Sequence, residues 1–345
     1  MKKVLLLVAL LVMTQWVQAE KTFVLPELMR PNQMEVKDRV IYIMDGAHLY
    51  LYHKDNGKLI KRIGKEGQGP GEFALHPEQG LIFETGEDWI SINSYNKFAV
   101  FSKTGQFKYE RILPFWILQA IPVGERFLLS KYTTNKKGDR VVLISLYDQK
   151  ISEKKLTFES VRPNPLREKK IQLPPVHVFV TLHKGNIFIC DRAASGMQIL
   201  KYSLKGELLQ TMELEREQVE VHDQFQEAGL AWMRALPHLR AAKEDLRKMV
   251  RFPKYFPAVR NIFFDDDLIF VQTFKRKGDL AEFLVLDKKG KLKKEIFLPF
   301  GNLDAIQVNP KAIFDISGNV YYYLVENEDD EEWEIHVMDL SHLLK

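Results

Sequence analysis

The chain has 345 residues, of which 46% are hydrophobic and 11% aromatic, and 50 Lys and Arg residues nearly balance 46 Asp and Glu residues. This apolar content is enough for a large core, and the charge balance argues against a general nucleic-acid binder. The single cysteine, Cys190, excludes an internal disulfide and is predicted to be a small buried residue of a strand.

Residues 1–19 have the pattern of a secretion signal. Lys2 and Lys3 precede an apolar run at 4–12, and Ala19 precedes the predicted cleavage site. The alternative is an uncleaved anchor, but the run is shorter than the ~20 residues that a membrane-spanning helix needs. No cysteine lies near the cleavage site, which argues against a lipoprotein. We therefore predict export to the periplasm or the medium, with no membrane span after cleavage.

Residues 21–29 lie before the repeated part of the chain and include Phe23, Val24 and Leu25. The last repeat has no recognisable outer strand before the chain ends. We predict that residues 21–29 supply that strand, because sharing one sheet between both termini would close a ring of sheets.

The rest of the chain repeats one theme of short apolar strands separated by polar turns that contain Gly or Asp. Two-residue alternation and Gly-containing turns indicate antiparallel sheets, and about four strands repeated six times are typical of a β-propeller. We therefore predict an all-β, six-bladed β-propeller over residues 20–345 as a single domain, with a β-sandwich or two β-domains as the alternative. The predicted units span residues 39–63, 80–113, 120–158, 178–214, 261–298 and 312–339.

Residues 62–73 connect the first unit to the second and contain Gly64, Gly67, Gly69, Pro70 and Gly71. Glycine allows backbone conformations that other residues avoid and proline fixes one torsion, so this segment is predicted to be a shaped connection. The segment Gly64–Phe73 resembles the link between blades in bacterial six-bladed β-propellers related to the NHL-repeat and TolB-like group. That resemblance implies the architecture and leaves the activity open.

Residues 215–260 interrupt the strand pattern between the fourth and fifth units. Asp223 is a predicted N-cap, and apolar residues at helical spacing predict a pair of helices that Pro237 separates, the second over His238–Arg251. The insertion is predicted either to cap one end of the ring or to dock a protein or peptide partner. The candidate anchors for docking are Trp232, Tyr255 and Phe256.

Two acidic runs, 265–267 and 326–332, are predicted to be turns between strands. Oxygen-rich loops can hold Ca²⁺, but the spacing lacks the regular alternation and the glycine of a calcium-binding loop. The basic run at 288–294 is predicted to be a solvated hairpin turn in place of a nucleic-acid site.

The sequence contains no nucleophile elbow, no zinc-binding pair of histidines and no phosphate-binding loop. Propellers place ligands at the mouth of the central channel, where loops of several blades meet. The polar residues predicted to follow the second strand of five blades are the ligand candidates, unless they only cap turns: Asp45, Asn93, Lys131, Asp191, Arg192 and Lys275.

Two classes of function fit these features. The first is a non-catalytic exported scaffold that binds a protein, a peptide or another ligand, and the sequence favours this class. The second is a metal-dependent hydrolase or lyase, because resembling six-bladed proteins include gluconolactonase-type lactonases and a lyase acting on peptide-derived hydroxyglycines. No ligand set of those enzymes matches residue by residue, so no cofactor is predicted, although a channel Ca²⁺ or Zn²⁺ is compatible with the second class.

Overall fold

The computed structural model describes residues 21–75, 80–162, 164, 168–174, 178–191, 196–235, 246–300, 313–327 and 329–345. Within these ranges the strands form six antiparallel four-stranded sheets and one short parallel pair. The first strand and the first three sheets are β1 (Lys21–Leu25); β2 (Pro31–Lys37), β3 (Val40–Asp45), β4 (His48–His53) and β5 (Leu59–Ile63); β6 (Ile82–Thr85), β7 (Trp89–Ser94), β8 (Lys97–Ser102) and β9 (Phe107–Ile112); and β10 (Gln119–Val123), β11 (Arg126–Thr134), β12 (Arg140–Tyr147) and β13 (Glu153–Arg162).

The second half of the chain contains the remaining sheets and the short helices. Its elements are β14 (Ile171–Gln172); β15 (Val178–His183), β16 (Asn186–Asp191), β17 (Met197–Ser203) and β18 (Leu208–Leu214); α1 (Asp223–Ala235), α2 (Leu246–Met249) and β19 (Val250–Arg251); β20 (Asn261–Asp265), β21 (Leu268–Lys277), β22 (Leu280–Asp287) and β23 (Leu292–Pro299); and β24 (Phe314–Ile316), β25 (Val320–Asn327), β26 (Glu332–Asp339) and α3 (Ser341–Leu344).

The first strands of the sheets surround a common axis. Strand β2 lies against β24 and β6, and β20 lies against β15 and β24. The protein is therefore a six-bladed β-propeller, as its repeats predict, and blades one to six are numbered from β2. The helical insertion lies between the fourth and fifth blades in chain order, which is also as predicted.

Each blade packs on a different neighbour with each of its two faces. In β3, Ile41 and Ile43 belong to the buried cluster shared with the sixth blade, whereas Tyr42 and Met44 belong to the cluster shared with the second. Successive side chains of a strand point to opposite faces of the sheet, so both faces must be apolar. Five such clusters join consecutive blades around the ring.

The innermost strand of the first blade, β2, is missing from the sequence prediction, which began that unit at Arg39. Only Met34 and Val36 of this strand join the apolar cluster. The alternate positions hold Gln33, Glu35 and Lys37, whose side chains bond to the second blade. Alternate residues of β2 are therefore polar because their side chains bond to the neighbouring blade. For this reason β2 lacks the apolar pattern by which the other strands are predicted.

The sixth blade is closed by the N-terminal segment, as predicted. Strand β1 pairs antiparallel with β26, from Lys21 opposite Val337 to Leu25 opposite Trp333. Leu25 and Leu28 are buried in the cluster that joins the fifth, sixth and first blades. Strand β1 therefore completes the sixth blade and closes the ring between the sixth and first blades.

The glycine-rich link between the first two blades is a shaped connection, as predicted. Its backbone folds back so that the amide of Phe73 donates to the carbonyl of Lys65, and the Phe73 ring is fully buried between the blades. Lys97 of β8 donates to the carbonyls of Gly69 and Glu72 at 2.9 and 3.0 Å. The link is thus held by its own backbone bonds and the buried Phe73 ring, and also by Lys97 of the second blade.

We expect Gly64→Ala to lower the free energy of unfolding by about 2–3 kcal/mol, because a left-handed backbone and a close contact add. Gly64 has a φ of +77°, and an added Cβ would lie 2.7 Å from the carbonyl oxygen of Ala47. Gly124 is a matched control, since its φ is +58° and nothing lies within 4 Å of an added Cβ. Gly124→Ala should cost only about 1 kcal/mol in urea denaturation. Equal losses in the two variants would contradict the shaped-link interpretation.

Two small apolar clusters hold the insertion: one includes Phe274 of the fifth blade, and the other includes Leu173 of the connection between the third and fourth blades. Helix α1 begins at Asp223, but the capping group is the preceding His222, whose Nδ1 accepts from the amide of Phe225 at 3.2 Å. The predicted second helix ends at Met249, because Val250 and Arg251 pair with β14. The part of that prediction at residues 238–245 lies outside the described residues. None of the described helices has the length and apolar content needed to cross a bilayer.

The smaller predictions agree with the structure. Cys190 is fully buried. Asp266 and Asp267 form the turn between β20 and β21, and residues 288–291 form the turn between β22 and β23. The acidic run at 326–332 includes the ends of β25 and β26, with Asn327 paired to Glu332.

Candidate functional site

The innermost strands run in the same direction around the axis. Gln33 near the start of β2 bonds to Phe83 of β6, and Lys37 at its end bonds to Thr85. All turns between first and second strands therefore lie on one face of the ring, which we call the turn face. The opposite face carries the connections between blades, and we call it the link face.

A cavity of about 310 Å³ lies on the axis and reaches the turn face. We call it the axial cavity. It is formed by the first strands of the first, second, fourth, fifth and sixth blades and by the turns that follow three of them. Its lining includes Glu35, Phe179, Thr181, His183, Phe263, Asp265, Asp315 and Ser317.

Side chains of one blade satisfy the exposed backbone edge of the next blade's first strand. The amide of Gln33 bonds to both the carbonyl (2.7 Å) and the N–H (3.0 Å) of Phe83. Gln119 donates to the carbonyl of Val180 at 3.1 Å. An innermost strand has a sheet partner on one side only, so such bonds replace the missing partner. These contacts tie neighbouring first strands of the ring to each other.

The cavity has an acidic interior. Asp315 of β24 accepts from the amides of Val36 at 2.6 Å and Ile316 at 2.8 Å. Burial raises the pKa of Asp315 to about 8, and the nearby charges of Glu35 and Asp265 act in the same direction. Asp315 therefore holds a proton over most of the neutral range while Glu35 and Asp265 surround it.

His183 lies at the rim of the cavity. Its ring stacks on Phe264 at a centroid distance of 5.2 Å, and its Nε2 lies 2.9 Å from the carbonyl oxygen of Asp266. Burial is the main cause that lowers the pKa of His183, so its neutral form is favoured. The ring therefore adds no positive charge to the cavity at neutral pH.

The predicted ligand candidates lie at the other end of the channel. Asp45, Asn93, Lys131, Asp191 and Lys275 all lie towards the link-face ends of second strands, so one face carries all five. Asp45 Oδ2 accepts from the amides of Met29 (2.5 Å) and Arg30 (3.1 Å). Asn93 accepts from the amide of Ala120 at 2.9 Å.

The other link-face candidates also bond to the scaffold. Asp191 pairs with Arg162 and accepts from Ser160. Lys275 pairs with the buried carboxylate of Glu282 at 3.1 Å. The Lys131 ammonium lies 4.4 Å from the centroid of the Phe115 ring and 5.3 Å from that of Tyr147.

The sixth candidate, Arg192, lies outside the described residues. The contacts of the other five match the alternative that such residues hold turns and blades in place, and their role towards a ligand stays a prediction.

The three docking candidates differ in accessibility. Trp232 on α1 is 36% exposed, and Tyr255 is partly exposed beneath the Lys254 ammonium at 4.8 Å. Phe256 is buried, because it stacks on Phe274 at 4.5 Å and holds the insertion on the fifth blade. Phe256 is therefore an internal anchor, and Trp232 and Tyr255 are the accessible members of the set.

The residues that line the axial cavity are not among the site residues predicted from the sequence. Asp315 lies in a strand of three residues between Phe314 and Ile316, and Glu84 lies between Phe83 and Thr85. A carboxylate within the otherwise apolar first strand of a blade is the signal that could have marked them. Among the described residues, no three His, Cys, Asp or Glu side chains are placed to hold a metal ion together.

Comparisons with known proteins agree on the architecture. Residues 26–170 match the model of the DUF5128 family, described as a 6-bladed beta-propeller. The crystal structure of a DUF4221 family member from Bacteroides vulgatus aligns with 10% identity and a TM-score of 0.53, covering 93% of this chain and 98% of that one. This likeness concerns the fold alone.

More distant structures include the AfRom2 CNH domain and a eukaryotic initiation factor. The CNH domain aligns at 10% identity and a TM-score of 0.40, over 92% of this chain and 99% of its own. The initiation factor aligns at 8% identity and a TM-score of 0.37, over 93% of this chain and 77% of its own. No curated protein matches the sequence.

Proposed function

We propose that this propeller is a non-catalytic binding protein that holds a small polar ligand in its axial cavity. The observation that carries the proposal is the cavity of about 310 Å³ that first strands of five blades form around the axis. Its volume lies at the lower end of the range of small-molecule sites, of roughly 300–1,000 Å³. A ligand of the size of a small metabolite would fill it.

The contacts between neighbouring first strands support this proposal. Gln33 and Gln119 fix neighbouring first strands to each other through buried hydrogen bonds. A site held in this way needs little ordering when a ligand enters, so more of the interaction energy appears as affinity. The polar groups of the wall, among them Glu35, Asp265 and Asp315, would orient the ligand.

The setting of the protein is part of the same proposal. The predicted leader at residues 1–19 would export it, and the accessible Trp232 and Tyr255 on the insertion would dock a protein or peptide partner. The link Gly64–Phe73 supports a relation to the NHL-repeat propellers. The proposals of export, docking and this relation rest on the sequence patterns of these three segments.

Thermal denaturation in the presence of a bacterial small-molecule extract tests the cavity as the binding site. A ligand at a hundredfold excess over its Kd should stabilise the native protein by about 2.7 kcal/mol. Thr181→Trp and Ser317→Trp each fill the cavity with an indole and should abolish the shift. Thr134→Trp places the same ring at an exposed site and is the matched control.

A thermal shift that persists in both cavity variants would overturn the proposal, and so would the absence of any shift in the wild-type protein. The compounds that are released from the protein after incubation with the extract distinguish a binding protein from a hydrolase or lyase. A binding protein returns its ligand unchanged, whereas a hydrolase or lyase returns products.

A further inference from the structure

The charges of the axial cavity are strongly unequal. Of the residues that the structure describes, its lining contains six carboxylates but one lysine, Lys37, and one histidine, His183, whose neutral form is favoured. The Lys37 ammonium donates to the carbonyl oxygen of Thr85 at 3.0 Å, on the second blade. Lys37, the one lysine or arginine among the described residues of the lining, is thus bound to the wall.

The acids divide into a rim and an interior. At the rim, Asp38 pairs with Lys103 at 2.5 Å and Asp266 with Lys184 at 3.5 Å, and both pairs are open to solvent. In the interior, Asp265 accepts from the amides of Gly318 (2.9 Å) and Asn319 (2.7 Å), and Asp315 accepts from two other backbone amides. The interior carboxylates of Asp265 and Asp315 are therefore held by neutral donors.

A ligand that enters this interior must supply hydrogen-bond donors, since ionised carboxylates are acceptors only. It must also bring positive charge, because several acids in one partly dehydrated cavity repel one another. The rings of Phe179 and Phe263 in the lining suit the alkyl part of such a ligand and attract its charge.

We propose that the axial cavity recognises a small organic amine, whose primary ammonium group binds at Asp315 between Glu35 and Asp265. The proposal deepens the proposed function and rests on it. An ammonium group has three N–H donors on one positive charge, so it suits an interior whose carboxylates are hydrogen-bond acceptors.

Protons and the amine compete for Asp315, because its pKa is raised to about 8. The charges of Glu35 and Asp265 act on Asp315, and Tyr322 lies opposite it on β25. The other charged or titratable groups of the same cavity lining are Lys37, Asp38, Glu84, His183 and Asp266. The amine keeps its own proton below pH ~10. Its affinity should therefore rise up to about tenfold for each pH unit between pH 6 and 8.

Titration calorimetry with 1,4-diaminobutane as the probe tests this inference on the mature full-length protein. The uncharged isostere 1,4-butanediol and CaCl₂ are titrated under the same conditions. We expect the diamine to bind at least about tenfold more tightly than the diol and more tightly than Ca²⁺, with the pH dependence given above. Asp315→Asn should weaken diamine binding at pH 8 about tenfold or more and remove most of the pH dependence.

Asp279→Asn is the matched control, since Asp279 is an exposed carboxylate in the turn between β21 and β22 on the link face, outside the lining of the axial cavity. This variant should bind the diamine within about twofold of the wild type. Equal binding of the diol, stronger binding of Ca²⁺ or no binding of the diamine would overturn the inference. In each of these cases the axial cavity would still be supported as a ligand site if the extract stabilises the wild type but not Thr181→Trp and Ser317→Trp.

Discussion

A variant that begins at Pro31, and so lacks β1, should lose most of its stability. Removing β1 leaves β26 as an unpaired edge and exposes Trp333 and Ile335, which are buried in the cluster that Leu25 and Leu28 join. Burial of each leucine side chain contributes about 1.5–3 kcal/mol, and the strand hydrogen bonds add to this. The expected loss of about 5 kcal/mol or more is comparable to the whole stability of many domains.

Urea denaturation of point variants separates closure from a general effect of shortening the chain. Leu25 is 1% exposed and Val24 is 49% exposed, on alternate faces of the same strand. Leu25→Ala should cost about 2–5 kcal/mol, whereas Val24→Ala should cost less than about 1 kcal/mol. A peptide of residues 20–30 should restore stability to the truncated protein. Unchanged denaturation of the truncated variant would show that the ring does not depend on its N-terminal strand.

The Asp315→Asn variant should be more stable than the wild type, and the difference should grow with pH. Burial, assisted by Glu35 and Asp265, raises the pKa of Asp315 from 3.8 to about 8. Between these values the folded protein binds more protons than the unfolded chain, so wild-type stability falls as the pH rises through this window. Asparagine carries no charge at any pH, so the free energy of unfolding of the variant does not fall in this window.

A difference of one between the folded and unfolded pKa of a group corresponds to about 1.4 kcal/mol. Against this gain, the Asn side chain keeps only one of the two oxygens that accept from the amides of Val36 and Ile316. We expect a net gain on the order of 3 kcal/mol at pH 8 and little or no gain near pH 4. Urea denaturation of both proteins across this range measures the difference. A difference that does not change with pH would show that Asp315 ionises normally in the folded protein.

The sequence predicted the ring and its closure because both depend on local patterns. Turns such as Asp55–Gly57 and the alternation of strands such as β3 are properties of neighbouring residues. The order of the blades and the pairing of β1 with β26 then follow from the need to bury both faces of every blade. Strand β2 escaped prediction because Gln33 and Glu35 serve a contact with another blade.

The axial cavity could not be predicted in the same way. Its acids come from four blades that are far apart in the chain, and only the closed ring brings Glu35, Asp265 and Asp315 together. The polar residues that the sequence did single out, such as Asp45 and Asp191, mark the link face, where they hold blades and connections. Residue type at a strand end therefore identified a set of residues that share the link face. It did not predict that the axial cavity lies towards the turn face.

Native mass spectrometry of the protein after exposure to a small-molecule extract tests the central claim most directly. If the axial cavity is the binding site, the wild type and Thr134→Trp should each carry one small adduct per chain, and Thr181→Trp and Ser317→Trp should carry none. An adduct of the same mass on all four proteins would place the ligand elsewhere and contradict the claim.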